Sequence, residues 1–172
     1  MIISPDHCRK GVPKYVIAGY AHMALAQRGL HVEHIDEKKP WGVEIRILPV
    51  HTRTFTEKFF SNLDVPRKLC QDPHGPKILL IDEVRRLSWH VHERKNEFLR
   101  VLHGNVGVSM SLTDDETPAR IHLAEDDEFI HIPPLMRHRL ISTSGWAVVA
   151  EISDHPSDDA DKCRIKDDHG RT

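Results

Sequence analysis

The sequence predicts an all-β sandwich or barrel preceded by a helical segment, and two patterns carry that expectation. From residue 77 onward, short strand-like runs recur at even spacing: "KILLIDE", "RLSWHVH", "EFLRVLHG", "VGVSMSL", "ARIHL", "EFIHIP", "RHRLIST" and "WAVVAEIS". Gly, Asp and Pro separate them and no helical run intervenes, which argues against an α/β fold. Ahead of residue 40, by contrast, apolar residues recur at three- and four-residue steps, the period of a helix.

The helix is predicted between Pro13 and Leu30. Val16, Ile17, Tyr20, Met23, Ala24 and Leu25 supply the periodicity, Pro13 suits a first helical turn and Gly29 a stop. Val43, Ile45 and Ile47 then alternate with Glu44, Arg46 and Leu48, which marks the first strand. Residues 49–75 are rich in proline and polar residues and read as a long excursion, with one short strand around Thr54 to Phe60. The expected organisation is an N-terminal helical segment over 1–37 packing on the barrel, the β-barrel over 38–156, and a charged C-terminal tail over 157–172.

Composition excludes several classes of partner. The 24 basic residues nearly balance 26 acidic ones, for a net charge of -2, so no global field gathers nucleic acid or an anionic membrane. Cys8, Cys70 and Cys163 are too few and too scattered for a disulfide framework and form no C-x-x-C pair. The first residues lack the profile of a secretion signal, and no apolar run approaches the ~18 residues of a membrane span. A soluble, cytoplasmic protein is expected.

Fourteen histidines are many for 172 residues. In "SWHVHERKNEFLRVLHG", His90 and His92 are two apart, so on a strand both imidazoles project from one face. A hairpin at "ERKN" would return Glu97 beside them, with Gly104 ending the returning strand. His138 follows a Pro-Pro stop at the start of another strand. Three neutral imidazoles and one carboxylate suit one divalent transition metal ion with positions left open for water or substrate. Manganese is the first expectation, with zinc, iron or nickel as the other choices.

These stretches resemble a known family. "HVHERKNEFLRVLHG" follows the first cupin motif, and "DEFIHIPPLMRHRLIS" resembles the second through Pro133 and His138. The resemblance implies a cupin jelly-roll, a double-stranded β-helix barrel, with His90, His92, Glu97 and His138 as metal ligands. Val84, Asp127 and Leu135 stand where the motifs usually carry glycine, departures that affect turns and no ligand. "KKPWGVEIRIL", "GPKILLI", "VVAEIS" and "DKCRIKDDHGR" are further similar to segments of the sugar-isomerase cupins, the D-lyxose isomerase and mannose-6-phosphate isomerase-like group.

That kinship implies interconversion of an aldose and a ketose by metal-assisted proton transfer, on a small-molecule sugar. Glu151 alternates with Ala147 and Val149, so it is expected to face the barrel interior, where desolvation raises its proton affinity toward that of a proton shuttle; the competing reading is a rim ion pair. Lys77 matches a lysine of the sugar-isomerase cupins that would bind substrate oxygen or assist proton transfer. His131, a strand histidine, is a candidate to line the barrel and touch substrate, and Arg137 to reach a phosphate at the mouth, its alternative being a structural ion pair. Lys95 is expected in a solvated turn. Two other functions suit the same metal set: an iron-dependent cupin dioxygenase and a non-catalytic sugar-binding cupin. Phe98 and Leu102, expected on the face opposite Glu97, make a homodimer plausible.

Overall fold

The computed structural model describes residues 3–61, 73–123, 129–156 and 161–170; Cys70 and Asp127 lie outside them. Helix α1 is Lys14–Ala26. Its end is closed by Gly29 at φ 72, with the Leu30 N–H donating to the Leu25 carbonyl and the Gly29 N–H to that of Ala26. This double bond, with glycine in the left-handed position, satisfies carbonyls the helix would otherwise leave open.

Nine strands form the described sheet, all paired antiparallel: β1 (Val32–Asp36), β2 (Gly42–Ile47), β3 (His74–Ile81), β4 (Trp89–His92), β5 (Glu97–Ser111), β6 (Arg120–Leu123), β7 (Ile130–Ile132), β8 (Arg137–Ser153) and β9 (Lys162–Lys166). The long β8 is the spine, pairing with β3, β4 and the whole of β5. Because side chains alternate across a strand, the apolar runs "ILLI" and "AVVA" feed two cores at once. Leu79, Ile81, Ala147 and Val149 pack inside the barrel. Ile78, Leu80, Val148 and Ala150 pack outside it against α1 and helix α2 (Thr52–Phe60). That two-sided burial is why these strands lack polar alternation.

Several local expectations are corrected. Thr54 to Phe60 is not a strand but most of α2: Thr52, Phe55, Thr56, Phe59 and Phe60 are its buried residues, a helical spacing that puts aromatic rings on the sheet. The Arg100 guanidinium donates to the Phe59 carbonyl at 2.7 Å, near the negative end of that helix. No hairpin joins β4 to β5: β4 pairs with β8 and β9, while β5 pairs with β6, β7 and β8. Nor does Gly104 end a strand. At φ 76 it sits in a register shift within β5, where a Cβ would come 2.9 Å from the Trp146 carbonyl oxygen. Phe98 is buried and Leu102 packs against the outer core, so neither presents an outward face for a second copy. Within the segment read as a charged tail, β9 pairs antiparallel with β4.

Val84 and Leu135, two of the three residues noted where the motifs carry glycine, are the non-glycine residues with positive φ among the described residues, at 57° and 65°. A β-branched side chain in this region is strained. Val84 is 66 % exposed, so its side chain gains little from packing. Val84→Gly is expected to stabilise the protein by about 1 kcal/mol, the relief of left-handed strain exceeding the added unfolded-state entropy. Urea unfolding checks it, and an unchanged or lower midpoint contradicts it.

Candidate metal centre

β4 projects His90 and His92 from one face, and β8 places His138 directly opposite His90. Glu97, the first residue of β5, completes the group, although it arrives by a crossing between strand pairings rather than by a hairpin. One ligand atom from each of the four lies within 4.8 Å of the others, and none of the four is more than 5 % exposed. His138 Nε2 is 2.8 Å from Glu97 Oε2, and His92 Nε2 is 3.4 Å from Glu97 Oε1.

The outward ring nitrogens explain this orientation. His90 Nδ1 is 2.8 Å from the Ser88 carbonyl oxygen, His138 Nδ1 3.1 Å from that of Met136, and His92 Nδ1 3.5 Å from Asp161 Oδ2. For His90 and His138 the carbonyl acceptor at Nδ1 favours the tautomer that leaves Nε2 as a lone pair facing inward, whereas His92 Nδ1 makes no hydrogen bond among the described residues. Three imidazoles and a carboxylate, buried together, fit a divalent transition metal; the donor set does not select among manganese, iron, nickel and zinc.

Burial holds His90 well below its ordinary pKa and His92 down to about 3. For Glu97 burial acts upward, but the neighbouring His138 and the ammonium of Lys95 outweigh it and hold the carboxyl well below the usual range. In the metal-free protein the unfolded chain therefore binds protons below pH ~6.5 that the folded histidines refuse. Stability falls as pH drops from that value toward about 3. At pH 5 the loss is expected to be roughly 2 kcal/mol per histidine. A urea midpoint that does not fall between pH 7 and 5 contradicts this.

Glu151 and Lys77 face each other across β8 and β3, Nζ to Oε1 at 2.9 Å, in the pocket that holds the histidines. Glu151 lies on the inner face with Ala147 and Val149, as its alternation implies, and its ion-pair partner is this lysine. Burial raises the Glu151 pKa, with the Glu97 charge adding to it and Lys77 opposing. Burial would lower that of Lys77, but the charges of Glu151 and Glu44 raise it above the ordinary lysine value.

His131 and Arg137 do not join this pocket. The alternation of β7 turns Ile130 and Ile132 inward and His131 outward, where it stacks on Phe98 with ring centroids 4.8 Å apart and reaches Asn96 Oδ1 at 2.7 Å. Arg137 lies beside His138 and so points to the other face, donating to Asp114 Oδ1 at 2.9 Å. Lys95, expected in solvent, is instead 5 % exposed with Nζ 2.7 Å from Glu97 Oε1. Asp161, Lys162 and Arg164 are additions that the sequence reading passed over. Asp161 Oδ2 lies 3.5 Å from His92 Nδ1, Asp161 Oδ1 accepts from the Arg94 backbone N–H at 3.0 Å, and Lys162 and Arg164 line the pocket. Burial pushes the Lys162 pKa down to about 8. The alternation of "DKCRIK" is the signal that could have marked a strand carrying them.

No protein-family profile matches the chain, and no curated protein matches it by sequence. Solved structures do. The capsular polysaccharide assembling protein CapF from Staphylococcus aureus aligns over 80 % of this chain and 34 % of its own, with a TM-score of 0.57 at 14 % identity. This chain thus spans about a third of the CapF length. The QdtA 3,4-ketoisomerase from Thermoanaerobacterium thermosaccharolyticum aligns over 52 % of this chain and 64 % of its own (TM-score 0.44, 23 % identity). A sugar phosphate isomerase from a cupin superfamily, from Silicibacter pomeroyi, aligns over 46 % and 48 % (TM-score 0.39, 14 % identity). For CapF, at 14 % identity, the likeness is one of fold. Among the described residues no helix is long and apolar enough to cross a membrane. The chain has the fold of a cupin barrel, and its His90, His92, Glu97 and His138 form a cluster that could hold a metal ion.

Proposed function

We propose that this protein is a metal-dependent sugar isomerase of the D-lyxose isomerase type, interconverting an aldose and its ketose. The observation that carries the reading is the placement of the Glu151–Lys77 pair in the same pocket as the four-residue metal cluster. A bound divalent ion would polarise the sugar carbonyl and its neighbouring hydroxyl, with His90, His92, Glu97 and His138 holding it. The remaining chemistry is proton transfer between adjacent carbons. Glu151, as carboxylate, takes the proton from the carbon beside the carbonyl and, as acid, returns it to the former carbonyl carbon, while the proton of the neighbouring hydroxyl passes to the former carbonyl oxygen. Its raised proton affinity suits both directions. Lys77 orients that carboxylate at 2.9 Å and offers its remaining N–H groups to a substrate oxygen.

The test is a sugar panel with protein loaded with manganese, zinc, iron or nickel, assayed with and without oxygen. Aldose–ketose conversion at equal rates in both atmospheres supports isomerisation. Turnover that requires oxygen would identify a dioxygenase, and sugar binding in calorimetry with no turnover by any metal form would identify a binding protein; either overturns the reading.

A further inference from the structure

The three imidazoles of the metal cluster are not held alike. His90 Nδ1 and His138 Nδ1 each face a backbone carbonyl two residues back along the chain, at 2.8 and 3.1 Å. His92 instead has Nε2 facing Glu97 and Nδ1 facing the Oδ2 of Asp161, 3.5 Å away. That nitrogen and that oxygen are both buried, and among the described residues neither has a hydrogen-bond partner. Buried polar atoms are seldom left so. Here a nitrogen that can donate and an oxygen that accepts face one another at the outer limit of hydrogen-bonding distance. The rest of Asp161 is already engaged. Its Oδ1 accepts from the Arg94 backbone N–H at 3.0 Å and from the Arg94 Nε at 3.2 Å, and its carbonyl accepts from the Glu93 N–H at 3.4 Å. Arg94 supplies the counter-charge, and Oδ2 is the oxygen left for the imidazole.

We propose that Asp161, just ahead of β9, is a positioning residue of the metal centre, its Oδ2 taking the His92 Nδ1–H when an ion binds at Nε2. An ion at Nε2 draws electron density from the ring and makes the Nδ1–H a stronger donor, which favours a charge-assisted bond to the facing carboxylate. In return the carboxylate fixes the Nδ1–H tautomer, holds the ring plane and raises the basicity of Nε2. The inference rests on the metal cluster of the proposed function and not on the reaction run there.

The test is a chelator-competition titration of zinc and of manganese into the full chain, parent against Asp161→Ala and Asp161→Asn, with proton–nitrogen NMR of the histidine rings in the zinc-loaded forms. Both substitutions are expected to weaken metal binding by about 10- to 100-fold. Asparagine is expected to be at least as damaging as alanine. Arg94 would hold its amide oxygen, which turns the NH2 onto His92 Nδ1 and favours the tautomer with its proton on Nε2, where the ion must bind. A role confined to anchoring Arg94 predicts the opposite order, because asparagine keeps those bonds and alanine loses them. The zinc-loaded parent is expected to show a His92 Nδ1 proton far downfield and protected from exchange, absent in Asp161→Ala. Melting of the metal-free variants separates lost folding from lost affinity, and the parent's proton signal tests the bond without any substitution. Unchanged affinity in Asp161→Asn, a milder effect than that of alanine, or no protected His92 Nδ1 proton in the zinc-loaded parent overturns the proposal. The expected order without turnover of any sugar would remove the isomerase reading and leave Asp161 in its role; turnover with unchanged affinity would do the reverse.

Discussion

Glu151→Gln is expected to lower kcat for isomerisation by about 10²- to 10⁴-fold, the usual contribution of a positioned proton-transfer group, with one metal per chain retained. Glutamine keeps the size and the oxygen that Lys77 contacts but cannot carry the proton. The substitution also removes a charge from a buried pair at 2.9 Å, and an ammonium left unmatched there could cost about 3–5 kcal/mol. Loss of activity through unfolding must therefore be separated from loss of the base. The double substitution Glu151→Gln with Lys77→Met removes both charges and is expected to recover the melting temperature while staying inactive. A single variant that is folded, metal-loaded and as fast as the parent would eliminate Glu151 as the proton carrier.

Glu97→Gln is expected to strip the metal. Glu97 is 4 % exposed and contacts two of the three histidines directly, Oε2 with His138 and Oε1 with His92. Supporting groups behind metal ligands typically contribute 10- to 100-fold in affinity, so loss of a ligand itself should cost at least about 100-fold. The amide would also leave the buried Lys95 ammonium without its counter-charge. Elemental analysis after dialysis is expected to find about one ion per parent chain and far less in the variant. Full occupancy in Glu97→Gln would show that the histidines bind metal without it.

How much of this was legible in the sequence follows from the range over which each signal acts. His90 and His92 share a face because they are two apart on a strand, a local rule that needs no knowledge of the rest of the chain. Glu151 was placed on the inner face by the same rule, through Ala147 and Val149. The motif spacing added Glu97 and His138, and the structure brings all four metal candidates together. The glycine-to-valine and glycine-to-leucine departures at 84 and 135 were also informative, because the turn they occupy demands positive φ whichever residue fills it.

Other features depended on contacts that sequence periodicity does not carry. Thr54 to Phe60 has aromatic and β-branched residues that suit a strand, yet their burial against the outer sheet face favours the helix, since tertiary packing overrides propensity. His131 was a fair barrel candidate until the register of β7 gave the inward positions to Ile130 and Ile132. Lys95 looked solvated because a lysine among polar turn residues usually is, but the buried carboxylate of Glu97 holds it inside.

From its own pattern, then, the chain determined an all-β barrel with a helical start, the four metal candidates, and the inward direction of Glu151. The tertiary structure alone decided that Glu97 arrives by crossing between strand pairings, that Lys77 is the partner of Glu151, and that β9 brings Lys162 and Arg164, with Asp161 just ahead of it, to the site. The division has one physical cause. Which face a side chain takes is set by the two-residue repeat of its own strand, whereas which side chains meet is set by register between strands far apart in the chain, such as Val91 opposite Cys163.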